Sequence, residues 1–89
     1  MSFYVYIIQS EADGSYYKGY TEDPIIRLSR HNNKESIYTS NKVPWKIVFV
    51  EELLSKKEAL QREKNLKKAD RSRILALINH SKNIASRFT

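Results

Sequence analysis

Residues 3–9 read FYVYIIQ and residues 15–21 read SYYKGYT, and this pair of segments decides the fold of the chain. Both segments are rich in β-branched and aromatic residues, which favour strands. Asp13-Gly14 lies between them and is typical of a tight turn. The sequence therefore predicts an antiparallel β-hairpin at the start of the chain.

The two faces of this hairpin follow from the alternation of side chains along a strand. With a two-residue turn at Asp13-Gly14, Tyr6 pairs with Thr21. Tyr6 then shares one face with Tyr17 and Gly19, and a register shifted by two residues gives the same result, whereas a bulge changes it. We therefore expect the two tyrosines to face the same side of the sheet.

A helix and a third strand are predicted after the hairpin. Asp23 before Pro24 favours a helix start, and Asn32-Asn33 is expected to end that helix. Its apolar side is predicted to consist of Ile25, Ile26 and Leu28. After a polar loop, residues 45–50 (WKIVFV) form a continuous apolar run, which predicts a strand that is either central or covered on both faces.

Two more helices complete the predicted order β-β-α-β-α-α, which indicates one domain of paired layers. Ser55 and Glu58 form a capping-box pattern, so a helix is expected from Ser55 to about Lys68. Asp70 is expected to cap the last helix. The buried side of that helix is predicted to carry Ile74, Leu75, Leu77 and Ile78. In the polar tail that follows, Ile84 and Phe88 are expected either to dock or to fray.

The positive charge of the chain is concentrated in its C-terminal part. The net charge is +6; residues 1–55 carry six Lys and Arg against seven Asp and Glu, whereas residues 56–89 carry ten against three. This asymmetry is typical of a surface that binds a polyanion, although a solvated helical surface has the same pattern. Charge alone leaves nucleic acid, an acidic membrane and an acidic protein open as partners.

The composition excludes several kinds of site. The chain has no cysteine, which rules out disulfides and thiolate metal sites. It has no signal-peptide pattern and no apolar run long enough to span a bilayer, so we expect a soluble, cytoplasmic protein without a membrane partner. A glycine-rich phosphate loop and the residue spacing of a zinc site are also missing from the sequence.

Glu63 is the most unusual residue of the predicted helices. At 100° per residue it falls on the same stripe as Ala59, Leu60 and Leu66. A carboxylate on that side is unfavourable unless it is paired or bound to a metal. A salt bridge to a nearby Lys or Arg and a bound divalent cation both explain it, and Mg²⁺ typically needs only one or two protein carboxylates.

Five further residues can carry chemistry, although each also has an ordinary structural explanation. Tyr6 and Tyr17 suit a strand core, yet a phenol near cations can act as a general base. Gly19 leaves room for a phosphate or a backbone group to approach. Arg27 and His31 share a helical face away from the apolar side, which predicts a solvated surface. As chemistry, Arg27 can brace a phosphorane, and His31 can donate to a phosphate oxygen or relay a proton.

Five blocks of the sequence, in order and at fitting spacing, resemble the GIY-YIG nuclease domain family. The blocks are Val5-Tyr6-Ile7, Tyr17-Lys18-Gly19 and residues 27–32, 44–49 and 58–68. The similarity extends to the small single-domain bacterial members, which are similar to the N-terminal domain of excinuclease C. It implies one GIY-YIG-like domain over residues 1–80 with a tail over residues 81–89. The implied fold class is α+β, with a small antiparallel three-stranded sheet flanked by helices.

The resemblance implies hydrolysis of nucleic-acid phosphodiester bonds with Mg²⁺ or Mn²⁺ as cofactor. By position, Tyr17 matches the general base, Tyr6 the tyrosine that supports it, Arg27 the phosphate-binding arginine, His31 a histidine of some members and Glu63 the metal ligand. Gly19 is then a structural residue of the active site. Tyr38-Thr39 resembles a signature of the single-domain members, and Asn79 is the candidate for an asparagine that several relatives use beyond the metal glutamate.

The hypothesis from the sequence is a metal-dependent endonuclease that acts on DNA, is structure-preferring or of low specificity, and serves DNA repair or recombination. The residues assigned to nucleic-acid binding are Lys18, Arg30, Lys64, Lys67, Lys68 and Arg71. RNA remains an alternative substrate, and a protein partner is expected to supply target choice. The rival hypothesis is a catalytically inactive nucleic-acid-binding module that uses the same basic helices, and a third is a protein that recruits acidic proteins.

Overall fold

The computed structural model describes residues 2–89, which form a three-stranded antiparallel sheet with helices on both faces. The strands are β1 (Phe3–Ser10), β2 (Tyr16–Thr21) and β3 (Trp45–Leu53), and the helices are α1 (Pro24–Asn32), α2 (Lys56–Leu66) and α3 (Arg71–Ile78). Short 3₁₀ turns lie at Ser40–Lys42 and Ala85–Phe88. The predicted α+β class and element order are confirmed. Within residues 2–89, no helix is long and apolar enough to cross a bilayer.

Strand β1 is the central strand of the sheet, in the order β2-β1-β3. Tyr6 pairs with Gly19 instead of Thr21, so the register differs by two residues from that of a two-residue turn. An even shift keeps every side chain on its face. The prediction that Tyr6 and Tyr17 face the same side is therefore confirmed.

The register differs because the hairpin connection is longer, running over residues 11–15. Ser10 Oγ accepts hydrogen bonds from the N–H groups of Ala12 and Asp13, and Asp13 Oδ1 accepts one from Ser15 N–H. Gly14 has φ 80°, a conformation that favours glycine. These side-chain bonds to the local backbone stabilise a wider turn than the dipeptide alone predicts.

Each face of the sheet carries one hydrophobic cluster. On the first, β1 and β3 pack against α2 and α3 through Val5, Ile7, Phe49, Ala59, Leu66 and Ile74. On the second, the cluster consists of Tyr6, Ile8, Trp45, Ile47, Val50 and Ala85, with Tyr17 and Leu28 packed against it. We call these the α2 face and the α1 face. The two tyrosines of the sequence hypothesis therefore lie on the α1 face.

Helix α1 begins and ends as predicted, but only part of its predicted apolar side packs on the sheet. Asp23 caps it by accepting hydrogen bonds from the N–H groups of Ile25 and Ile26. Ile25 and Ile26 are 56% and 53% exposed and His31 is fully buried, so the predicted burial of the two isoleucines and the predicted exposure of His31 are wrong, whereas Leu28 packs on the sheet as predicted. The polar side faces inward because the Tyr6 hydroxyl beneath it supplies a hydrogen-bonding partner.

Strand β3 lies at the edge of the sheet, so of the two predicted alternatives the central position is wrong and cover on both faces is confirmed. Its outer edge is closed by the C-terminal segment. Asn83 Oδ1 accepts a hydrogen bond from Val50 N–H at 3.1 Å, and Asn83 Nδ2 donates to Val48 O at 2.8 Å. Ile84 N–H donates to Val50 O at 3.1 Å. The segment thus replaces the hydrogen bonds of a neighbouring strand.

The last residues also dock through their apolar side chains. Ile84 and Phe88 pack against the cluster of the α1 face, and the Phe88 ring meets Tyr4 edge-on with centroids 5.5 Å apart. Two other predictions of burial are wrong, because Leu60 of α2 and Leu75 of α3 are exposed. Helix α3 packs on the cluster of the α2 face through Ile74, Leu77 and Ile78 instead.

Candidate active site

The centre of the site is the buried hydroxyl of Tyr6 on strand β1. Arg27 Nε donates a hydrogen bond to Tyr6 Oη at 3.3 Å, and Tyr6 Oη lies 2.9 Å from His31 Nε2. His31 Nδ1 lies 2.9 Å from Thr39 Oγ1, which in turn is 3.5 Å from Ser36 O. A continuous series of hydrogen bonds therefore links α1, β1 and the loop before β3.

The direction of these hydrogen bonds follows from the groups available. Arg27 can only donate, so Tyr6 Oη accepts from it and gives its own proton to His31 Nε2. His31 then carries its proton on Nδ1 and donates to Thr39 Oγ1, whose hydroxyl donates to Ser36 O. We assign this tautomer because it gives every donor a partner. It agrees with the absence of buried unpaired side-chain nitrogen or oxygen atoms among residues 2–89.

Gly19 provides the space that the Tyr6 ring occupies. A β-carbon at position 19 would lie 2.6 Å from Tyr6 Oη and 2.8 Å from Tyr6 Cζ. The close approach expected at Gly19 is therefore present, but the group that approaches is a tyrosine ring rather than a phosphate or a backbone group. Glycine is needed here so that Tyr6 can reach Arg27 and His31.

Tyr17 lies on the solvent side of this network. Its ring meets the His31 ring edge-on, with centroids 5.0 Å apart and planes at 60°, and its side chain is partly exposed. The pKa of Arg27 is raised chiefly by its hydrogen bond to Tyr6, and Tyr17 contributes to the same shift. The Tyr17 side chain is therefore partly accessible to water and close to a permanent cation.

The buried groups of the network are uncharged at neutral pH. Burial raises the pKa of Tyr6 to about 12, against the opposing effect of Arg27. Burial first, and then the charge of Arg27, lowers the pKa of His31 to about 4. Arg27 is consequently the cation of this group, held in place by neutral partners.

His31 does not occupy the position that the sequence hypothesis gave it. Its side chain is fully buried, and both ring nitrogens contact protein groups. Direct donation to a phosphate oxygen is therefore wrong for this arrangement. The ring instead lies behind Tyr6 and Tyr17, where it supports both phenols.

Glu63 lies on α2, which packs on the opposite face of the sheet from Tyr6 and Tyr17. Its side chain is 20% exposed, and its Oε2 lies 3.8 Å from Lys67 Nζ, which is the salt bridge that the sequence offered as one explanation. The pKa of Tyr6 is raised mainly by burial and, to a smaller extent, by the negative charge of Glu63. Glu63 is thus coupled to the site by charge, although no hydrogen bond within residues 2–89 joins it to Tyr6, Tyr17 or Arg27.

The donor atoms near this site fit a hard divalent cation that has one protein ligand. Glu63 offers a partly exposed carboxylate, and Mg²⁺ is commonly held by one or two carboxylates together with water and substrate phosphate. Residues 2–89 contain no group of three or more His, Cys, Asp or Glu that could hold a metal ion. The chemistry of the donor set therefore fits an ion whose remaining ligands are water and phosphate.

The basic residues predicted to bind nucleic acid lie in two regions. Arg30 lines a groove beside Arg27 and Ile26, next to residues 21–23. Lys18 lies on the α2 face, where its Nζ is 3.4 Å from Ala69 O just beyond the end of α2. The other four are exposed on α2, on α3 and in the turn between them; they are Lys64, Lys67, Lys68 and Arg71.

Sequence reasoning missed three residues that shape the site. Thr39, known only from the Tyr38-Thr39 resemblance, completes the hydrogen bonding of His31. Asn32, expected merely to end α1, accepts from Trp45 N–H and donates to Trp45 O, which fixes the helix to β3. Asn83 closes the β3 edge, whereas the candidate Asn79 donates only to Leu75 O of its own helix.

The chain is similar in sequence to a family of known proteins. The sequence model of the GIY-YIG catalytic domain matches residues 2–76. A UPF0213 protein of Streptococcus pneumoniae is 36% identical over 88 residues, covering 96% of this chain and 88% of the relative. A UPF0213 protein of Staphylococcus saprophyticus is 39% identical over 77 residues, covering 85% of this chain and 93% of the relative.

A solved structure extends the similarity to the fold. The solution NMR structure of a UPF0213 protein of Bacillus halodurans has a TM-score of 0.60 and 32% sequence identity, and the match covers 100% of this chain and 95% of that chain. The GIY-YIG domain implies nuclease activity on a DNA substrate, and nucleases of this kind are generally metal-dependent. Because the family model matches residues 2–76 and the relatives are more than 30% identical over most of the chain, the chain belongs to the GIY-YIG catalytic domain family.

Proposed function

We propose that this protein is a metal-dependent endonuclease that hydrolyses phosphodiester bonds of DNA, with a preference for DNA structure or with low specificity. The observation that supports this function is the partly exposed phenol of Tyr17 beside the His31 ring and the Arg27 guanidinium. A tyrosine takes a proton from water in its phenolate form, and a neighbouring cation stabilises the negative charge of a phenolate.

Tyr17 and Arg27 carry the reaction on the protein side. Tyr17, as the phenolate, would accept the proton of the attacking water while the water oxygen bonds to phosphorus and the bond from phosphorus to the 3′ oxygen breaks. Arg27 uses its Nε to hold Tyr6, which leaves its terminal nitrogens for paired hydrogen bonds to the non-bridging oxygens of the phosphate. These bonds strengthen as negative charge accumulates in the pentavalent transition state.

Tyr6 and His31 act as positioning residues. Both are buried and uncharged at neutral pH, and they connect Arg27 to Thr39 through hydrogen bonds of 2.9–3.3 Å. A guanidinium held in this way needs little reorganisation when substrate binds, which lowers the entropic cost of reaching the transition state.

Glu63 would hold the metal ion, Mg²⁺ or Mn²⁺. When bound, a divalent cation supplies positive charge that stabilises the departing 3′ oxygen. The present partner of Glu63 is the exposed Lys67 at 3.8 Å. Exposed i,i+4 pairs contribute only about 0.3–0.5 kcal/mol, so this pair is weak enough for a divalent cation to replace it.

The basic residues of α2 and α3 would hold the DNA backbone. Lys64, Lys67, Lys68 and Arg71 are exposed along this part of the chain, and contacts to phosphates carry no sequence information. Target choice would then come from DNA structure or from a partner protein, and a role in DNA repair or recombination follows from that preference. Binding should weaken steeply with salt, because each neutralised phosphate releases counterions.

The decisive experiment offers duplex, branched and single-stranded DNA, and RNA, to the purified protein with Mg²⁺ or Mn²⁺. We expect the wild type to cut DNA, and Tyr17→Phe, Arg27→Ala and Glu63→Gln each to lose on the order of 10²-fold or more. Tyr20→Phe is the matched control, because Tyr20 lies on β2 but packs on the α2 face. Binding without cutting by the wild type would indicate an inactive module, and equal cutting by all variants would indicate a contaminant; either result overturns the proposal.

A further inference from the structure

The loop between α1 and β3 exposes two apolar side chains at the tip of a turn. Thr39 N–H donates to Ser36 O at 3.3 Å, which closes a turn with Ile37 and Tyr38 at its central positions. Ile37 is 89% exposed and Tyr38 is 83% exposed. Central turn positions usually hold glycine, proline, asparagine or aspartate. The requirements of the turn therefore do not account for an isoleucine and a tyrosine there.

The backbone next to this tip is held firmly. Thr39 is fully buried, and its Oγ1 lies 2.9 Å from His31 Nδ1. Its carbonyl oxygen accepts hydrogen bonds from Trp45 Nε1 at 2.9 Å and from Lys42 N–H at 3.2 Å. The backbone next to the exposed Tyr38 is therefore held in place by the hydrogen bonds of Thr39. Because this backbone is already ordered, Tyr38 loses less conformational entropy when it binds a partner.

The tip is also connected to the candidate active site. Two hydrogen bonds lead from Thr39 through His31 to Tyr6. The exposed cations Arg30 and Lys34 lie along the chain between Arg27 and the tip, and Glu35 N–H donates to Arg30 O at 3.0 Å, which folds the loop onto the end of α1. Glu35 is itself exposed, so the segment between Arg27 and the tip carries two cations and one carboxylate and has a net positive charge.

We propose that Tyr38 is a stacking platform for an unpaired base of the substrate, with Ile37 as its apolar neighbour. The substrate class is then DNA that has single-stranded nucleotides next to the cleaved bond, and this inference rests on the proposed nuclease function. Aromatic side chains stack on every base, so they bind single strands without sequence preference. Bases within a duplex are already stacked on their neighbours and must be extruded before they can use such a platform.

Nucleic acid fits this tip better than a protein does. An exposed apolar pair is also compatible with a protein contact. However, the bordering Arg30 and Lys34 complement phosphate groups, and the anchor residue Thr39 belongs to the network that positions Arg27. A base stacked on Tyr38 would therefore lie next to Thr39, which is connected by hydrogen bonds to the Arg27 that is proposed to bind the phosphate.

The test measures binding in EDTA, so that it does not depend on cutting. The probes are a single-stranded oligonucleotide that carries one 2-aminopurine and the duplex of the same sequence. We expect Tyr38→Ala to bind the single strand about tenfold more weakly than the wild type, to lose the 2-aminopurine fluorescence change, and to bind the duplex within about twofold. Tyr38→Trp should retain single-strand binding. Leu54→Ala is the matched control, since Leu54 is also 83% exposed but lies between β3 and α2.

Three results would overturn the proposal. They are an unchanged single-strand affinity in Tyr38→Ala, an equal loss for the single strand and the duplex, and a wild-type oligomer that Tyr38→Ala dissociates in sedimentation experiments. The proposed nuclease function fails separately. A wild type that shows the expected binding contrast but cuts nothing with either Mg²⁺ or Mn²⁺ supports stacking and overturns the nuclease.

Discussion

The Tyr6 ring fills the space in which any residue other than glycine at position 19 would place its β-carbon, 2.6 Å from Tyr6 Oη. We predict that Gly19→Ala displaces this ring and with it the 3.3 Å hydrogen bond to Arg27. Cutting should fall on the order of 10²-fold, because the phosphate-binding group moves. The free energy of unfolding should fall by about 1–3 kcal/mol, as for other overpacked sites. Single-turnover kinetics and urea unfolding measure the two effects.

Gly14→Ala is the control for the Gly19 variant. Gly14 has φ 80° at the hairpin turn, so alanine should cost about 1 kcal/mol of stability through backbone strain. The turn makes no contact with Arg27, and the cutting rate should stay at the wild-type value. Wild-type cutting by Gly19→Ala would show that the position of Tyr6 does not matter for the reaction.

The burial of His31 predicts a pH dependence of stability. An unfolded histidine titrates near pH 6.5, whereas the pKa of His31 in the folded protein is about 4. Between these values the unfolded chain binds more protons, so the free energy of unfolding falls as pH decreases from 6.5 to 4, by about 3 kcal/mol. Asp13, with its pKa lowered to about 2 by hydrogen bonds from Ser15, loses its contribution only below pH 3.8. Urea unfolding between pH 4.5 and 7.5 therefore reports His31.

Two histidine variants separate this effect from the rest of the protein. His31→Gln should be less stable at pH 7 and should show a much flatter dependence on pH in the same range. His80→Asn is the control, because His80 is exposed near the C-terminus and should leave the slope unchanged. If the free energy of unfolding of His31→Gln still fell with pH as it does in the wild type, this would contradict the assignment of a buried neutral imidazole.

Glu63 should matter for metal binding much more than for stability. Its only ion pair within residues 2–89 is the partly exposed contact with Lys67, so Glu63→Gln should change the free energy of unfolding by less than about 1 kcal/mol. The same variant should lose Mn²⁺ binding measured by electron paramagnetic resonance. Glu58→Gln, an exposed carboxylate of the same helix, should bind Mn²⁺ as the wild type does. Equal Mn²⁺ affinity in Glu63→Gln and wild type would favour the purely structural salt bridge.

Asn83 should be one of the most sensitive positions of the tail. Its side chain bonds Val50 N–H, Val48 O and Ile78 O, so Asn83→Ala leaves several backbone groups without partners. We expect a loss of about 2–4 kcal/mol and faster hydrogen exchange at Val50 N–H. Asn79→Ala removes one exposed hydrogen bond to Leu75 O and should cost less than about 1 kcal/mol. Similar losses in the two variants would contradict a special role of Asn83.

The part of the site that depends on local periodicity could be predicted from sequence. The shared face of Tyr6 and Tyr17 depends only on strand parity, and parity survives the longer turn. The spacing of Arg27 and His31 likewise predicts one helical face, and both side chains do contact Tyr6. The chemical roles of these residues remain predictions.

The parts of the fold and of the site that depend on the groups facing a helix or strand could not be predicted from the sequence. Ile25 and Ile26 have the apolar pattern of a buried side, but the sheet beneath α1 presents the Tyr6 hydroxyl, so the polar side of the helix is buried instead. Hydrophobic periodicity describes one helix and contains no information about polar groups on the facing strand. Asn83 lies in a polar tail without periodicity, and no local signal marks it as a partner of β3.

The hydrogen bonds from Asn83 and Ile84 to strand β3 also bear on how these molecules behave at high concentration. Bare strand edges recruit identical chains and are the usual starting points of fibrils. Here part of the outer edge of β3 is already bonded to Asn83 and Ile84 of the same chain. We therefore expect residues 81–89 to reduce aggregation as well as to add stability. In a chain truncated after residue 80, the backbone groups of Val48 and Val50 would be free to pair with a strand of another molecule.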